Sequence, residues 1–334
     1  MNARAPDASP ANPPQRVALI GFGEAGSILG ADLVLAGCDV SMYDILLDDM
    51  KSRAAMLARA ERAHVRPSDS FAAAVAGAEL IISAVTAASS GDVAALAGKH
   101  LGAGQVFLDI NSVSPAKKQS SCRAVETSGA DYVESAVMAP LPPYRLKVPM
   151  LLGGKRAGAV ADQLTRLGMN ARPIASDIGV ASAVKMCRSI LIKGIESLAV
   201  ESMLAARHFG AEDPVLASLS QTFPGMGWDK ELPDYLVSRV AEHGRRRAAE
   251  MREVARTLQD AGFEPTMANA IADRQDDLID AMVSAGLSYS NDEPFSWRRL
   301  ADALASDATH NAGAGAGGSE NSTTAGAGTP GERR

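Results

Sequence analysis

Two stretches of the chain carry residues whose types and spacing suit chemistry. Lys185, Arg188 and Ser189 stand at i, i+3 and i+4, the spacing that puts side chains on one face of a helix. Two cations one turn apart disfavour each other's charge, and partial burial lowers a lysine pKa further. A lysine tuned toward neutrality exchanges a proton with a hydroxyl or carbonyl. The plainer reading of the same residues is a basic, solvated helix face. The other stretch is Gly21-Phe22-Gly23-Glu24-Ala25-Gly26, entered by the aliphatic run Val17-Ala18-Leu19-Ile20 and left by an apolar-periodic segment. A Gly-x-Gly-x-x-Gly turn between strand and helix suits a dinucleotide: the first glycine allows the turn, the second admits a pyrophosphate, and the third lets helix and sheet pack closely. Free N–H groups at the helix start then hold the phosphates.

Asp44 closes the next apolar run, Val40-Ser41-Met42-Tyr43. It stands where a ribose-binding carboxylate belongs, roughly 20 residues past the glycines. An acid there accepts ribose hydroxyls and repels a 2′-phosphate, so NAD is the preferred cofactor. Lys51 and Arg53 further on leave NADP open.

These residues need a scaffold, and the chain supplies one of two kinds along its length. From Val17 onward, strand-like runs alternate with helical ones, including Leu80-Ile81-Ile82-Ser83-Ala84-Val85 and Val106-Phe107-Leu108-Asp109. Such alternation implies right-handed βαβ units and a doubly wound parallel sheet. Ligands lie beyond the carboxyl ends of strands in such sheets, which brings Val85, Thr86, Asn111 and Ser112 to the cleft. Further strands are expected at 131–135 and 149–152, Gly153-Gly154 as a turn, and a helix over 156–167. From Ile178 to Phe209 the apolar residues keep helical spacing, enough for one helix about 45 Å long at about 1.5 Å per residue. Helices are also expected at 214–221, 232–261, 265–285 and 295–304. The expected division is therefore a loose arm at 1–15, an α/β nucleotide domain at 16–177, an all-α domain at 178–305 built on the long helix, and a disordered Gly/Ala/Ser-rich tail at 306–334.

Composition bounds the remaining possibilities. The 334 residues are 46% hydrophobic and 22% charged, with a net charge of −6, an ordinary globular balance that points to neither nucleic acid nor an anionic membrane as partner. No run approaches the roughly 18 apolar residues that span a bilayer. Cys38, Cys122 and Cys187 have no Cys-x-x-Cys spacing, so neither a disulfide frame nor a metal site is expected, and a reducing, cytoplasmic setting is.

In combination and order, Gly21 to Gly26, Tyr43-Asp44, Leu108-Asp109-Ile110-Asn111-Ser112 with Pro115, Gly153-Gly154, and Gly179 through Lys185 resemble the β-hydroxyacid dehydrogenase family. That family includes 6-phosphogluconate and 3-hydroxyisobutyrate dehydrogenases. The resemblance runs from Arg16 to about Ala305 and is nearer to a branch with a C-terminal helical domain of unassigned function. It implies a Rossmann-type NAD(P) domain, an all-helical second domain on one long helix, commonly a homodimer, and hydride transfer between nicotinamide and a hydroxy acid. The catalytic lysine of the family falls on Lys185. Its substrate-touching Asn-Ser pair falls on Asn111 and Ser112, whose amide and hydroxyl suit a substrate oxygen; alternatively the pair serves its own turn.

Two departures from the family pattern bear on the substrate. Where Ser-Gly-Gly usually grips a carboxylate, this chain has Met138-Ala139-Pro140, and Ser189 replaces an asparagine one turn after the lysine. Arg188 is the candidate replacement for the lost grip, by a bidentate contact. Phe223-Pro224-Gly225-Met226-Gly227-Trp228 reads as a packed interhelical loop or as the wall of a pocket for a bulky or aromatic small molecule. His243 to Arg247 reads as a solvated basic face balanced by Glu250 and Glu253, or as an anion site. Imine or ketone reduction on the same scaffold, and a non-catalytic dinucleotide-binding redox sensor, are the alternatives to the dehydrogenase.

Overall fold

In the computed structural model of the chain, residues 15–316 are described. The expected arm at 1–15 and tail at 306–334 lie outside them except for Gln15 and 306–316. The first elements are β1 (Arg16–Ile20), α1 (Glu24–Leu35), β2 (Asp39–Tyr43), α2 (Met50–Arg62), β3 (Arg66–Pro67), α3 (Phe71–Val75), β4 (Leu80–Ser83), α4 (Ser90–His100) and β5 (Val106–Asp109). There follow α5 (Pro115–Glu126), β6 (Asp131–Val137), α6 (Leu141–Tyr144), β7 (Met150–Gly153), α7 (Ala157–Arg166) and β8 (Ala171–Ala175). The strands form one sheet in the order β3-β2-β1-β4-β5-β6-β7-β8.

Strand periodicity explains why this sheet is covered on both sides. Val17 and Leu19 of β1 enter one apolar cluster with Val40, Met42 and Leu108. Their neighbours Ala18 and Ile20 enter a second cluster with Ile81, Phe107 and Tyr132. Successive strand residues point to opposite faces, so a strand apolar at every position must be sandwiched. The pairing is parallel throughout except between β6 and β7, which run antiparallel with Glu134 opposite Gly153. Only a short helical connection joins these two strands, too brief for the crossover that a parallel neighbour requires. Gly153 thus belongs to β7 and not to a turn. The edge strand β8 was not expected from the sequence.

The helical elements are α8 (Val180–His208), α9 (Glu212–Thr222), α10 (Leu232–Asp260), α11 (Thr266–Ser284) and α12 (Trp297–Ala316). The expected long helix is present as α8. Residues 306–316, expected as tail, continue α12, in keeping with the high helix propensity of their alanines. The chain forms two compact units, Met1–Gly194 with Ala249–Ala272, and Ile195–Ala248 with Asp273–Arg334. The division between these units falls inside α8, between Gly194 and Ile195. The second unit has its own core, in which Met203, Val237, Val240 and Trp297 are buried.

Candidate functional site

The glycine-rich turn sits at the carboxyl end of β1, and its three glycines answer to different constraints. Gly21 has φ +87°, and a Cβ there would stand 2.5 Å from the Ala84 carbonyl oxygen. One on Gly26 would stand 2.1 Å from the Gly21 oxygen. Both glycines are required by the protein's own packing. Gly23 is not: nothing lies within 4 Å of its Cβ position. It is also the N-cap of α1, with no side-chain capping bond, so the helix start faces open space with N–H groups to offer. That is the cradle a pyrophosphate fills, and the residues present fit a dinucleotide. The Phe22 side chain is fully buried in the core. Glu24 and Ala25 form the first turn of α1.

Asp44 is held in place from two sides. Its Oδ2 accepts the Phe22 N–H at 2.7 Å and its Oδ1 the Leu46 N–H at 3.0 Å. A carboxylate has about four acceptor positions, which leaves room for ribose hydroxyls. The flanking Ile45 and Leu46 side chains are exposed and uncharged. Arg53 donates to the Leu47 carbonyl at 2.7 Å and approaches Asp69 at 3.4 Å. Arg59 on α2 donates to the Phe22 carbonyl at 3.1 Å. The sequence gives no sign of this cation beside the glycine turn, because helical periodicity does not show which loop a surface arginine will reach.

Val85, Thr86, Asn111 and Ser112 lie at the neighbouring strand ends. The Asn111 side chain accepts the Val85 N–H at 2.7 Å and donates to the Ser83 hydroxyl at 2.9 Å. Its amide thus brackets the ends of β4 and β5. Ser112 is half-buried at the same rim. Thr86 bonds the Ser89 hydroxyl at 3.0 Å, at the entry to α4. Beneath the bracket is a buried network absent from the sequence reading. Lys118 Nζ lies 2.9 Å from an Asp109 carboxylate oxygen, with both side chains 1% exposed. Tyr132 donates to the other oxygen at 2.7 Å, and burial, then the nearby Asp109, holds its phenol well above the ordinary range.

The start of α8 is fastened to the same sheet. Glu134 on β6 is fully buried. Its Oε1 accepts the Gly179 N–H at 2.7 Å and the Ala181 N–H at 3.0 Å, and its Oε2 the Ser182 N–H at 3.4 Å. These are the orphan donors of a helix N-terminus, where a negative charge is favoured by the aligned peptide dipoles. Gly179 takes φ +110°, and a Cβ there would stand 3.2 Å from Pro115 Cβ. Pro115 begins α5, three residues past Ser112, so α8 starts beside the wall of the cleft. Lys185 follows in its second turn and is half-buried; Arg188 is exposed and Ser189 half-buried. A groove of about 520 Å³ on another side of this helix is lined by Val180, Ala183, Val184 and Cys187; Lys185 does not line it.

The Met138-Ala139-Pro140 stretch offers little backbone grip. The Met138 N–H is bound by the Pro149 carbonyl at 2.8 Å, and Pro140 has no N–H. Past it, Arg145 on the same connection reaches Asp32 of α1.

In the second unit, Trp228 is buried, while Phe223 and Met226 are exposed. They line a cavity of about 350 Å³ together with Leu198, Met203 and Leu219. The basic run at 243–247 is largely paired: Arg245 with Asp276 at 3.0 Å and with Asp280, and Arg247 with Glu196. Glu196 lies on α8, and Asp276 and Asp280 on α11; Glu250 pairs with Lys193 at 2.6 Å.

Residues 16–139 match the family described as the NAD binding domain of 6-phosphogluconate dehydrogenase, and residues 206–278 match a domain of unknown function, DUF1932. The solved structure of a conserved hypothetical protein from Sinorhizobium meliloti is 36% identical, with 88% of this chain and 96% of that one covered and a TM-score of 0.71. A second, a conserved protein of unknown function described as structurally similar to 3-hydroxyacid dehydrogenases, is 29% identical over 80% of this chain and 98% of that one, with a TM-score of 0.66. The fold is also that of the Mycobacterium tuberculosis 3-hydroxyisobutyrate dehydrogenase, 14% identical, with coverage of 87% and 99% and a TM-score of 0.66.

Proposed function

Because this chain belongs to the β-hydroxyacid dehydrogenase-like family, in the branch whose nucleotide domain precedes a helical C-terminal domain, we propose that it is an NAD-dependent oxidoreductase acting on a hydroxy acid or related hydroxy compound. The observation that carries this reading is the open cradle at Gly23 beside a fixed Asp44. A bound nicotinamide dinucleotide supplies the hydride acceptor. The protein's part is to hold substrate and move a proton. In oxidation the Lys185 amine takes the hydroxyl proton as general base; in reduction its ammonium returns it. Ser112 orients the reacting oxygen, and Asn111 keeps the strand ends that shape the cleft in register. Arg188, exposed on the same helix, takes the substrate carboxylate that Met138-Ala139-Pro140 has too few N–H groups to hold.

We further read the protein as a homodimer. Val180, Val184, Leu191, Ile195 and Leu198 recur on α8 at steps of three, four or seven residues, and all are exposed, Leu191 by 71% and Leu198 by 61%. Such a stripe along one helix suits a second helix packed against it.

The test is turnover of NAD or NADP by the purified protein across a panel of hydroxy acids, alcohols and imines. Oxidation of a hydroxy acid supports the dehydrogenase, and reduction of imines alone would reassign it. Tight NADH binding without any turnover would make it a redox sensor.

A further inference from the structure

The buried carboxylate of Glu134 has no part in the chemistry proposed above, yet it occupies a place of high electrostatic cost. Among the described residues its partners are backbone N–H groups, those of Gly179, Ala181 and Ser182. An unpaired buried charge is tolerated only where such donors converge on it. Its room is made by Gly153, the residue opposite it across the antiparallel pair: a Cβ on Gly153 would stand 2.5 Å from Oε1. The acid and the glycine together let a strand of the sheet grip the start of a helix whose preceding residue, Gly179, stands 45 residues further along the chain.

We propose that Glu134 is a positioning residue for Lys185. The inference rests on Lys185 being the proton-transfer group. Ala181 and Ser182 stand four and three residues before Lys185, so the two N–H groups that Glu134 holds belong to the turn directly beneath the lysine. A helix clamped at that turn has its rotation and its height above the sheet fixed, and both determine where Nζ stands relative to the strand ends. Gln119 adds a second hold, donating to the Ile178 carbonyl at 3.1 Å just ahead of the helix. Replacing the carboxylate by an amide removes the charge and turns one acceptor into a donor facing N–H groups. The helix start then shifts, and a displacement of about 1 Å at a reacting group costs about 10²-fold in rate.

The experiment compares the full-length protein with Glu134→Gln, Glu134→Asp and Gly153→Ala. Gly153→Ala crowds the acid without altering its charge. Three readings are taken: hydrogen exchange of the 179–185 amides, the labelling rate of the Lys185 amine, and kcat, KM and NADH affinity. Expected in Glu134→Gln are lost protection at 179–182, a changed Lys185 labelling rate, unchanged NADH affinity, and kcat lower by about 10²-fold with KM moving far less. Gly153→Ala should go the same way, and Glu134→Asp should recover part of the loss. Protection and labelling like wild type in both Glu134→Gln and Gly153→Ala would overturn the proposal. So would lost protection with kcat unchanged. A wild-type protein that turns over nothing overturns the dehydrogenase reading instead, and exchange and labelling still decide whether Glu134 sets the lysine. Should Glu134→Gln not fold, Gly153→Ala and Glu134→Asp carry the same readings.

Discussion

Asp32 and Arg145, 113 residues apart, meet in a forked ion pair, with Arg145 Nε 3.1 Å from each carboxylate oxygen and Nη2 2.5 Å from one of them. The pair ties the connection after β6 to the nucleotide-side helix α1. Arg145 holds this position with φ +52°, a left-handed conformation that non-glycine residues adopt at a cost. The side-chain bond to Asp32, and then its charge, raise the Arg145 pKa, so the guanidinium stays charged at any working pH. Asp32→Asn should lower the thermal midpoint and loosen residues 138–148, seen as faster proteolysis there. Arg145→Lys should fall between wild type and Asp32→Asn, because an ammonium keeps the charge and loses the fork.

Lys185→Ala should reduce kcat by about 10²- to 10⁴-fold, the range for removing a general acid or base. Binding of NADH, measured by its fluorescence, should be preserved, since the seat at Gly21 to Gly26 is built from other elements. An unchanged kcat would take the lysine out of the mechanism.

At Asp44 the expected change is one of preference. A hydrogen bond to a charged acceptor is worth about 1.5–3 kcal/mol, so Asp44→Ala should weaken NAD relative to NADP by about tenfold or more. The ratio of kcat/KM for the two cofactors measures it. Arg59, already beside the turn, gives a 2′-phosphate a cation to meet once the acid is gone.

The Asp109–Lys118 pair makes a prediction about stability. Removing one member of a buried pair typically costs about 3–5 kcal/mol, so Lys118→Met should be destabilised by that order in urea denaturation. Tyr132 adds a pH dependence. Its folded pKa is raised well above the ordinary value of about 10, so above that pH the unfolded chain loses a proton that the folded chain keeps. Stability from this group is complete below about pH 10 and is lost as pH rises further. Tyr43, raised to about 12 by burial and then its bond to Asp48, adds to the same slope, and Cys122, raised from 9.0 to about 12 by burial and then Glu126, extends it down to about pH 9. Tyr132→Phe should flatten it, at the expense of a lower stability at neutral pH.

What could be read from the sequence was what is local. The glycine turn and Asp44 announce themselves because strand, turn and helix are contiguous, and α8 because its apolar spacing is unbroken. Edge strand β8 did not, since Arg172 and Pro173 sit exposed in it and carry no alternating apolar signal. Glu134 gives no local signal, because its partners lie on a helix far along the chain. The strand-end rule brings Asn111 to the cleft, but only the neighbouring strand end shows what its amide bonds, the Val85 N–H and the Ser83 hydroxyl.

Gly23 differs from the other turn glycines in a way that gives a practical handle. Its φ is −70°, which any residue adopts, and no protein atom approaches where a methyl would go. Gly23→Ala should therefore melt at the same temperature as the parent while losing NADH. Such a variant is a folded blank: every property it keeps is the scaffold's alone, and every property it loses belongs to the nucleotide.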